Sequence, residues 1–329
     1  MDDELLVGGP LLYALSNNKD YEPYVVFTTN GDYFNYGADT RAMESVEANG
    51  ALGIKEDHLI YLGYGDSWKG EKTVYSATSD EVVVSHAGFR NTYAAGEHKD
   101  FHYLKYGEHA EYTHNNFVND IADVIEDIRP QIIVLVGPDY HTDHMGTYLL
   151  TLEALKKLSM REVMANDTYN PLVLVKVAYE GMIKGPHDYY SIPFVPSRMH
   201  GNCLKTTDVL RWEKRIRFAT PAECLTEKLS DNPLYRAAVC YNSQGAKYFI
   251  DRSVNKDIVY WAYDCYNEIY YEPDDDELKE RLGIIPLPID DSEENITYKK
   301  NHVKNLICLI NEAWNLKFLR YIVKVNTKK

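Results

Sequence analysis

Two short stretches of the sequence bring together side chains that could bind a metal ion or transfer protons. Residues 139–144 contain two histidines and two aspartates, and Asp2 and Asp3 are adjacent carboxylates at the start of the chain. Imidazole and carboxylate groups are both zinc ligands, and either can act as a general acid or base. Each stretch also has a plainer interpretation, as a polar helix-capping loop in the first case and an acidic first helical turn in the second.

The pattern of apolar residues predicts the elements that position these side chains. It indicates helices at 5–15, 40–50, 117–128 and 146–158, and strands at 24–29, 59–62, 132–136 and 172–177. This alternation predicts an α/β fold with a Rossmann-like, mostly parallel sheet and helices on both faces. In such sheets ligands bind beyond the carboxyl ends of the strands, where residues 139–144 follow the apolar run Ile132–Val136.

Three further segments complete the organisation of the chain. Residues 70–114 have no clear period and contain five of the 11 histidines, which is typical of a long, solvated insertion that roofs a site. Glu272–Glu280 is acidic and predicts a solvated linker, and an apolar stripe from Val303 to Trp314 predicts a closing helix. We therefore expect a domain at 1–250 and a partly helical C-terminal extension at 251–329.

Composition excludes several classes of function. Lys and Arg number 35 against 50 Asp and Glu, and the net charge of −15 disfavours nucleic acid as a partner. Purely aliphatic runs such as Ile132–Val136 are far shorter than a membrane span. The five cysteines form no C-x-x-C pair, and no signal peptide is apparent in the chain as written. These features predict a soluble, cytoplasmic protein, unless a leader precedes the sequence.

The sequence lacks the signature motifs of two common enzyme classes. No G-x-G-x-x-G follows a predicted strand, which argues against a dinucleotide-binding enzyme, and a serine hydrolase motif G-x-S-x-G is missing.

Taken together, the two polar stretches resemble the signatures of the PIG-L/LmbE-like zinc-dependent de-N-acetylases. That family opens with a strand, H-P-D-D-E and a Gly-Gly helix, and carries H-x-D-H after a later strand. Here Asp2-Asp3-Glu4 precedes Gly8-Gly9, and His141–His144 follows the predicted strand at 132–136. Five further stretches of this sequence resemble other landmarks of the family: Thr29–Asp32, Arg41–Glu44, Leu52-Gly53, Leu62–Ser67 and Tyr241–Gln244. The resemblance covers roughly residues 1–250.

The resemblance implies a role for each matching residue. Asp3 and His144 are expected to bind Zn²⁺, and Asp2 is expected to act as the general base that takes a proton from water. His141 is expected to stabilise the oxyanion or protonate the leaving amine. The remaining expectations are that Asp143 orients an imidazole, that Tyr140 assists the oxyanion, and that Asp32, Arg41 and Asp66 hold sugar hydroxyls. For the last three, a structural salt bridge or helix cap is the alternative.

One departure from the family pattern concerns the start of the sequence. The first zinc ligand of the family, the histidine of H-P-D-D, would fall immediately before Met1, and the strand that precedes it is missing too. We therefore expect the natural protein to begin upstream of Met1. With two of three protein ligands, the chain as written is expected to bind zinc weakly and could be inactive.

The leading functional prediction is a zinc-dependent hydrolase that removes an N-acetyl group from an amino-sugar substrate or glycoconjugate, such as one containing N-acetylglucosamine. A zinc amidase acting on another N-acyl compound is one alternative. The other is a metal-free family member that binds a carbohydrate or a protein partner. Sequence alone leaves the oligomeric state open.

Overall fold

A computed structural model describes residues 1–33, 37–67, 71–139, 141–165, 169–178, 210–226, 228–248, 254–284 and 286–287. The helices are α1 (Asp3–Ser16), α2 (Gly37–Leu52), α3 (Phe101–Tyr106), α4 (His114–Ile128), α5 (Thr142–Ala165), α6 (Pro233–Cys240) and α7 (Asp275–Leu282). The strands are β1 (Val25–Thr29), β2 (Leu59–Tyr64), β3 (Ile132–Val136), β4 (Leu172–Lys176), β5 (Ile216–Ala219), β6 (Asp257–Asp264) and β7 (Ile269–Tyr271). Within these ranges, no helix is both long and apolar enough to cross a membrane.

The described strands form two sheets, and the larger sheet is mixed. β1 pairs with β2 in parallel, and β3 pairs with β4 in parallel. β6 then runs antiparallel to β4, and both β5 and β7 run antiparallel to β6. The prediction of α/β architecture is confirmed, whereas that of a mostly parallel sheet holds only for β1 to β4. The turn at 265–268 between β6 and β7 is too short for a parallel crossover, so these two strands can only pair antiparallel.

Each helix and strand predicted up to residue 177 is present; the strand ends differ from the prediction by at most two residues, and the helix ends by up to seven, at the end of α5. The acidic stretch Glu272–Glu280 is not a linker, because α7 occupies most of it. Asp274 caps this helix by accepting a hydrogen bond from the backbone N–H of Glu277, and Leu278 and Leu282 are buried one turn apart. The closing helix predicted at 303–314 lies outside the described residues, and the division at residue 250 stays a prediction.

Helix α1 is buried around most of its first half. Residues 5–11 are all buried, and Gly9 allows close packing, since a Cβ at this position would lie 3.1 Å from a methyl carbon of Leu234. Pro10 has no N–H, so the carbonyl of Leu6 loses its usual partner within the helix. The buried ammonium of Lys176 in β4 donates to this carbonyl over 2.6 Å. A long-range bond thus anchors α1 to the sheet.

The insertion at 70–114 is largely irregular, apart from α3, and its histidines pair with carboxylates. The pairs are His86 with Glu71, His98 with Glu56, His102 with Asp120, His109 with Asp100, and His114 with Glu153. Asp100 and Asp120 are fully buried, and each also accepts a hydrogen bond from a hydroxyl group, that of Thr92 and Tyr64 respectively. His98, His102 and His114 therefore attach the insertion to the rest of the domain, whereas the pairs of His86 and His109 lie within it.

Gly63 in β2 is a point of close approach between the sheet and the insertion. Its φ is +81°, and a Cβ there would lie 2.6 Å from the Cβ of Asp100 and 2.9 Å from the carbonyl oxygen of Tyr93. We expect Gly63→Ala to lower the free energy of unfolding by about 1–3 kcal/mol, because the methyl group meets packed atoms and the backbone is strained. Urea denaturation measures this difference.

Gly50→Ala is the matched control for that substitution. Gly50 lies in α2, and a Cβ there would have no neighbouring atom within 4 Å. The same change is expected to leave stability unchanged or raise it by up to about 1 kcal/mol. Equal effects of the two substitutions would contradict a close contact at Gly63.

Candidate active site

The predicted site residues lie at the carboxyl ends of three strands. Asp32 follows β1, Asp66 follows β2, and residues 139–144 follow β3 and lead into α5. A hydrogen bond of 2.9 Å between the hydroxyl groups of Thr28 and Thr147 ties the end of β1 to α5. The N-terminus of α1 reaches the same place, because Asp3 in its first turn contacts His144.

Asp3 and His144 form the centre of the site. Oδ2 of Asp3 lies 3.2 Å from Nε2 of His144. On the other side of the ring, Nδ1 of His144 lies 2.8 Å from Oδ2 of Asp139, whose side chain is fully buried. The imidazole is thus held between two carboxylates, one from the start of α1 and one from the loop after β3.

The two carboxylates control the charge of this imidazole. Burial alone would lower the pKa of His144, but Asp3 and Asp139 raise it to about 10. Burial likewise opposes ionisation of Asp3, yet the neighbouring imidazolium lowers the pKa of its carboxyl group well below the ordinary value. At neutral pH the two side chains therefore form an ion pair.

The donor atoms of this pair are suited to zinc. Oδ1 of Asp3 is buried and has no hydrogen-bond partner within the described part of the chain, so one carboxylate oxygen is available as a ligand. The bond from Nδ1 of His144 to Asp139 is the arrangement that usually orients a zinc-binding histidine. Among the residues that the structure describes, no group of three His, Cys, Asp or Glu side chains is arranged to hold a metal ion. Two donors, Asp3 and His144, are thus brought together.

Asp2 precedes α1 in a backbone conformation that is unusual for an aspartate. Its φ is 103°, and its side chain makes no capping hydrogen bond to the helix. Burial and the adjacent charge of Asp3 raise the pKa of the Asp2 carboxyl group well above its ordinary value. A carboxylate whose pKa moves towards neutrality is suited to accept a proton near pH 7.

Glu4 is a positioning residue that the sequence analysis did not single out. Its Oε2 accepts a hydrogen bond of 2.9 Å from the backbone N–H of Asp2, and its Oε1 accepts bonds from the side chains of Asn49 and Tyr241. Helices α1, α2 and the end of α6 therefore meet at this carboxylate. The strained backbone of Asp2 is held by these contacts.

His141 stacks against His144, with ring centroids 4.5 Å apart. Its Nδ1 accepts a hydrogen bond of 3.3 Å from the backbone N–H of Asp143, which places the ring proton on Nε2. Burial and the charge of His144 lower the pKa of His141, so the ring is neutral at pH 7. A neutral imidazole with a proton on Nε2 is a hydrogen-bond donor.

Asp139 and Asp143 make different contacts in the site. The carboxylate that accepts from His144 belongs to Asp139, and the expected role of Asp143 in orienting an imidazole stays a prediction. Asp143 instead accepts from the backbone N–H and the hydroxyl of Ser67, and burial raises the pKa of its carboxyl group to about 8. Only the three-dimensional contact distinguishes the two aspartates, since both lie in the same polar cluster. Tyr140 lies outside the described residues.

The predicted sugar-binding residues lie nearby, and two of them already hold backbone groups. Asp32 accepts from the backbone N–H of Asp66 over 2.7 Å and from the hydroxyl of Tyr93, while Asp66 accepts from the N–H of Gly31 over 2.9 Å. These bonds join the loops after β1 and β2. Arg41 is buried, and its Nε has no hydrogen-bond partner within the described part of the chain.

Fold and site together define an α/β protein with paired carboxylates and imidazoles at the carboxyl ends of its parallel strands. Residues 1–155 match the family model described as PIG-L, GlcNAc-PI de-N-acetylase. This part of the chain is therefore a PIG-L family domain, which confirms the resemblance drawn from the two polar stretches. Membership of the family implies de-N-acetylation of amino-sugar substrates. Curated protein sequences provide no match to the chain.

The His144–Asp139 contact predicts the effect of Asp139→Asn. The amide can still accept a hydrogen bond but carries no charge, so we expect the pKa of His144 to fall from about 10. A raised pKa stabilises the folded state below the unfolded value of about 6.5, and this contribution is lost as the pH rises towards 10. The variant should therefore be less stable than the original chain at pH 6, and the difference should shrink at higher pH. Histidine NMR titration and urea denaturation provide the two measurements.

Asp120→Asn is the control, because Asp120 is also fully buried and lies 2.6 Å from Nδ1 of His102. It should leave the titration of His144 unchanged. If both variants shift His144 equally, the contact with Asp139 is not the cause of the raised pKa.

Proposed function

We propose that this chain hydrolyses the N-acetyl group of an amino-sugar substrate, with Zn²⁺ bound by Asp3 and His144. The observation that carries the proposal is the contact of Asp3, in the first turn of α1, with His144, in the first turn of α5, where His141 stacks on His144 and Asp2 precedes Asp3. Carboxylates and imidazoles from two distant parts of the sequence converge at the ligand-binding edge of the parallel strands. The PIG-L family match over residues 1–155 supports the same reaction.

Each side chain has a chemical task in this reaction. Zinc, when bound, polarises the amide carbonyl and lowers the pKa of water. Asp2 accepts a proton from the attacking water, for which its raised pKa is suited. The proton on Nε2 of neutral His141 forms a hydrogen bond to the developing oxyanion. The nitrogen then takes the proton held by Asp2 and leaves as a free amine, and acetate is the second product.

Asp139 and Glu4 act through the residues that they contact. Asp139 accepts from Nδ1 of His144, and this bond keeps Nε2 directed at Asp3. Glu4 holds the backbone of Asp2 through its N–H. Both are therefore positioning residues.

For the sugar, we propose contacts with Arg41, Asp32 and Asp66. The Nε group of Arg41 is a buried donor that a sugar hydroxyl would satisfy. Asp32 and Asp66 make fixed bonds to backbone groups, and each carboxylate oxygen can accept a further bond from a hydroxyl. Asp143 is proposed to support the loop at Ser67, and the role of Tyr140 stays a prediction from the family pattern.

The first test of the reaction is Asp2→Asn. The amide cannot accept a proton, so we expect the rate of acetate release from a substrate containing N-acetylglucosamine to fall by about 100-fold or more. Bound zinc, measured by atomic absorption, should be unchanged. Asp20→Asn, at an exposed aspartate after α1, serves as the control and should retain full activity. Undiminished hydrolysis by Asp2→Asn would contradict the role of Asp2 as base.

The adjacent substitution Asp3→Asn tests the metal. A neutral amide is a poor ligand for zinc compared with a carboxylate, so the bound zinc should fall together with hydrolysis. The pair of neighbouring variants therefore separates the base from the ligand. If the original chain binds an amino sugar but neither binds zinc nor releases acetate, the protein is a carbohydrate-binding family member. Release of a different acid from another N-acyl compound would identify it as a related amidase.

A further inference from the structure

A pocket lies beside the candidate active site, between the first turns of α5, the ends of β1 and β2, and residues 72–85 of the insertion. We call residues 72–85 the strap. The pocket is open on one side, and the space of about 450 Å³ between and in front of its walls includes solvent at the mouth. Thr142, Asp143 and Gly146 form its α5 side, so the pocket adjoins the loop that carries the two histidines.

The strap packs closely against the site. A Cβ at Gly146, in α5, would lie 3.0 Å from the ring of Tyr75, and one at Gly65 would lie 2.3 Å from the Cβ of Ser85. The backbone N–H of Val83 donates over 2.9 Å to the carbonyl of Tyr112. Glycine inside a helix costs stability, and here Gly146 lets the tyrosine ring reach the helix. The strap is therefore a packed wall of the pocket.

Much of the pocket is lined by apolar atoms. Val83, Tyr112 and Phe117 are buried side chains of its wall, together with Tyr64. The two tyrosine hydroxyls already have partners, since Tyr64 donates to Asp120 and Tyr112 donates to the carbonyl of Gly63. These rings therefore present apolar surface to the pocket.

Three of the polar side chains that line the pocket are also engaged within the protein. The ammonium of Lys72 pairs with Glu81, and the hydroxyl of Thr147 bonds to that of Thr28. Asp143 accepts from Ser67. A sugar needs many hydrogen-bond partners, whereas an alkyl chain or a ring of a ligand gains from contact with apolar walls.

We propose that this pocket binds an apolar group carried by the amino-sugar substrate, either a short alkyl chain or a single ring. The amino-sugar part of this inference rests on the proposed function. Two positions on the substrate could supply the group: an N-acyl chain longer than acetyl, or an aglycone attached to the sugar. Either group would place apolar carbon atoms against the walls of the pocket, and one experiment distinguishes the two sources.

The experiment compares three probes by calorimetry: N-acetylglucosamine, N-hexanoylglucosamine and hexyl N-acetylglucosaminide. It uses the full-length Asp2→Asn variant with zinc, so that the probes are not consumed. Burial of each methylene group tightens binding by about fourfold, so we expect at least one hexyl probe to bind about tenfold or more tightly than N-acetylglucosamine. The probe that gains affinity identifies the source of the apolar group. If neither gains affinity, the proposal is overturned.

A pair of valine substitutions tests whether the pocket causes the tighter binding of the hexyl probe. Val84 lines the pocket and is 45% exposed, so Val84→Lys places a charge there with little risk to folding. Val239, in α6, is 42% exposed and does not line the pocket. We expect Val84→Lys to abolish the tighter binding of the hexyl probe and Val239→Lys to retain it. Equal behaviour of the two variants would overturn the proposal.

The failure of this inference can be distinguished from the failure of the proposed function. Release of acetate by the original chain, without any preference for hexyl probes, would leave the reaction standing and refute the apolar pocket. Tight hexyl binding that Val84→Lys abolishes, without hydrolysis of any probe by the original chain, would establish the pocket and refute the reaction.

Discussion

The contact between Asp3 and His144 is the interaction on which the site depends, because it joins the first turn of α1 to the first turn of α5. Taking charges out of water is costly, so a partly buried carboxylate and imidazole persist only when each has a partner. Asp139 supplies the second partner of the imidazole. The charges of this pair also shift the pKa values of neighbouring groups. Asp3 helps to raise the pKa of Asp2, and His144 helps to lower the pKa of His141.

This contact requires α1 to lie inside the molecule, and the sequence of the helix makes that possible. Its first half is apolar or glycine, and Pro10 leaves a carbonyl that Lys176 satisfies from β4. The hydroxyl of Tyr260, in β6, also donates to the carbonyl of Val7. These long-range bonds fix the position of the helix. The acidic residues at its start are thereby held at the carboxyl ends of the strands.

The insertion provides the outer part of the site by a different means. It has little regular structure, and histidine–carboxylate pairs attach it to α4 and to Glu56, which precedes β2, while His114 pairs α4 with α5. Buried Asp100 has three hydrogen-bond partners and Asp120 has two, so both oxygens of each carboxylate are paired. The same segment forms the strap that closes the pocket beside Asp143. Hence the region with the weakest sequence pattern builds the surface that would select the substrate.

Local sequence determined much of this protein, because helices and strands depend on periodic burial and on capping within a few residues. Ile132–Val136 was predictable as a strand because a short, continuous run of mostly β-branched residues favours one. The PIG-L family relationship was predictable from the residue types and order of the polar stretches. Tertiary structure decided the rest. Asp139 and Asp143 are equivalent in a sequence pattern, and only contacts with His144 and Ser67 separate their roles. The antiparallel pairing of β4 with β6, the contact of His114 with Glu153 and the apolar pocket were likewise unpredictable, because each depends on residues far apart in the chain that meet only when it folds.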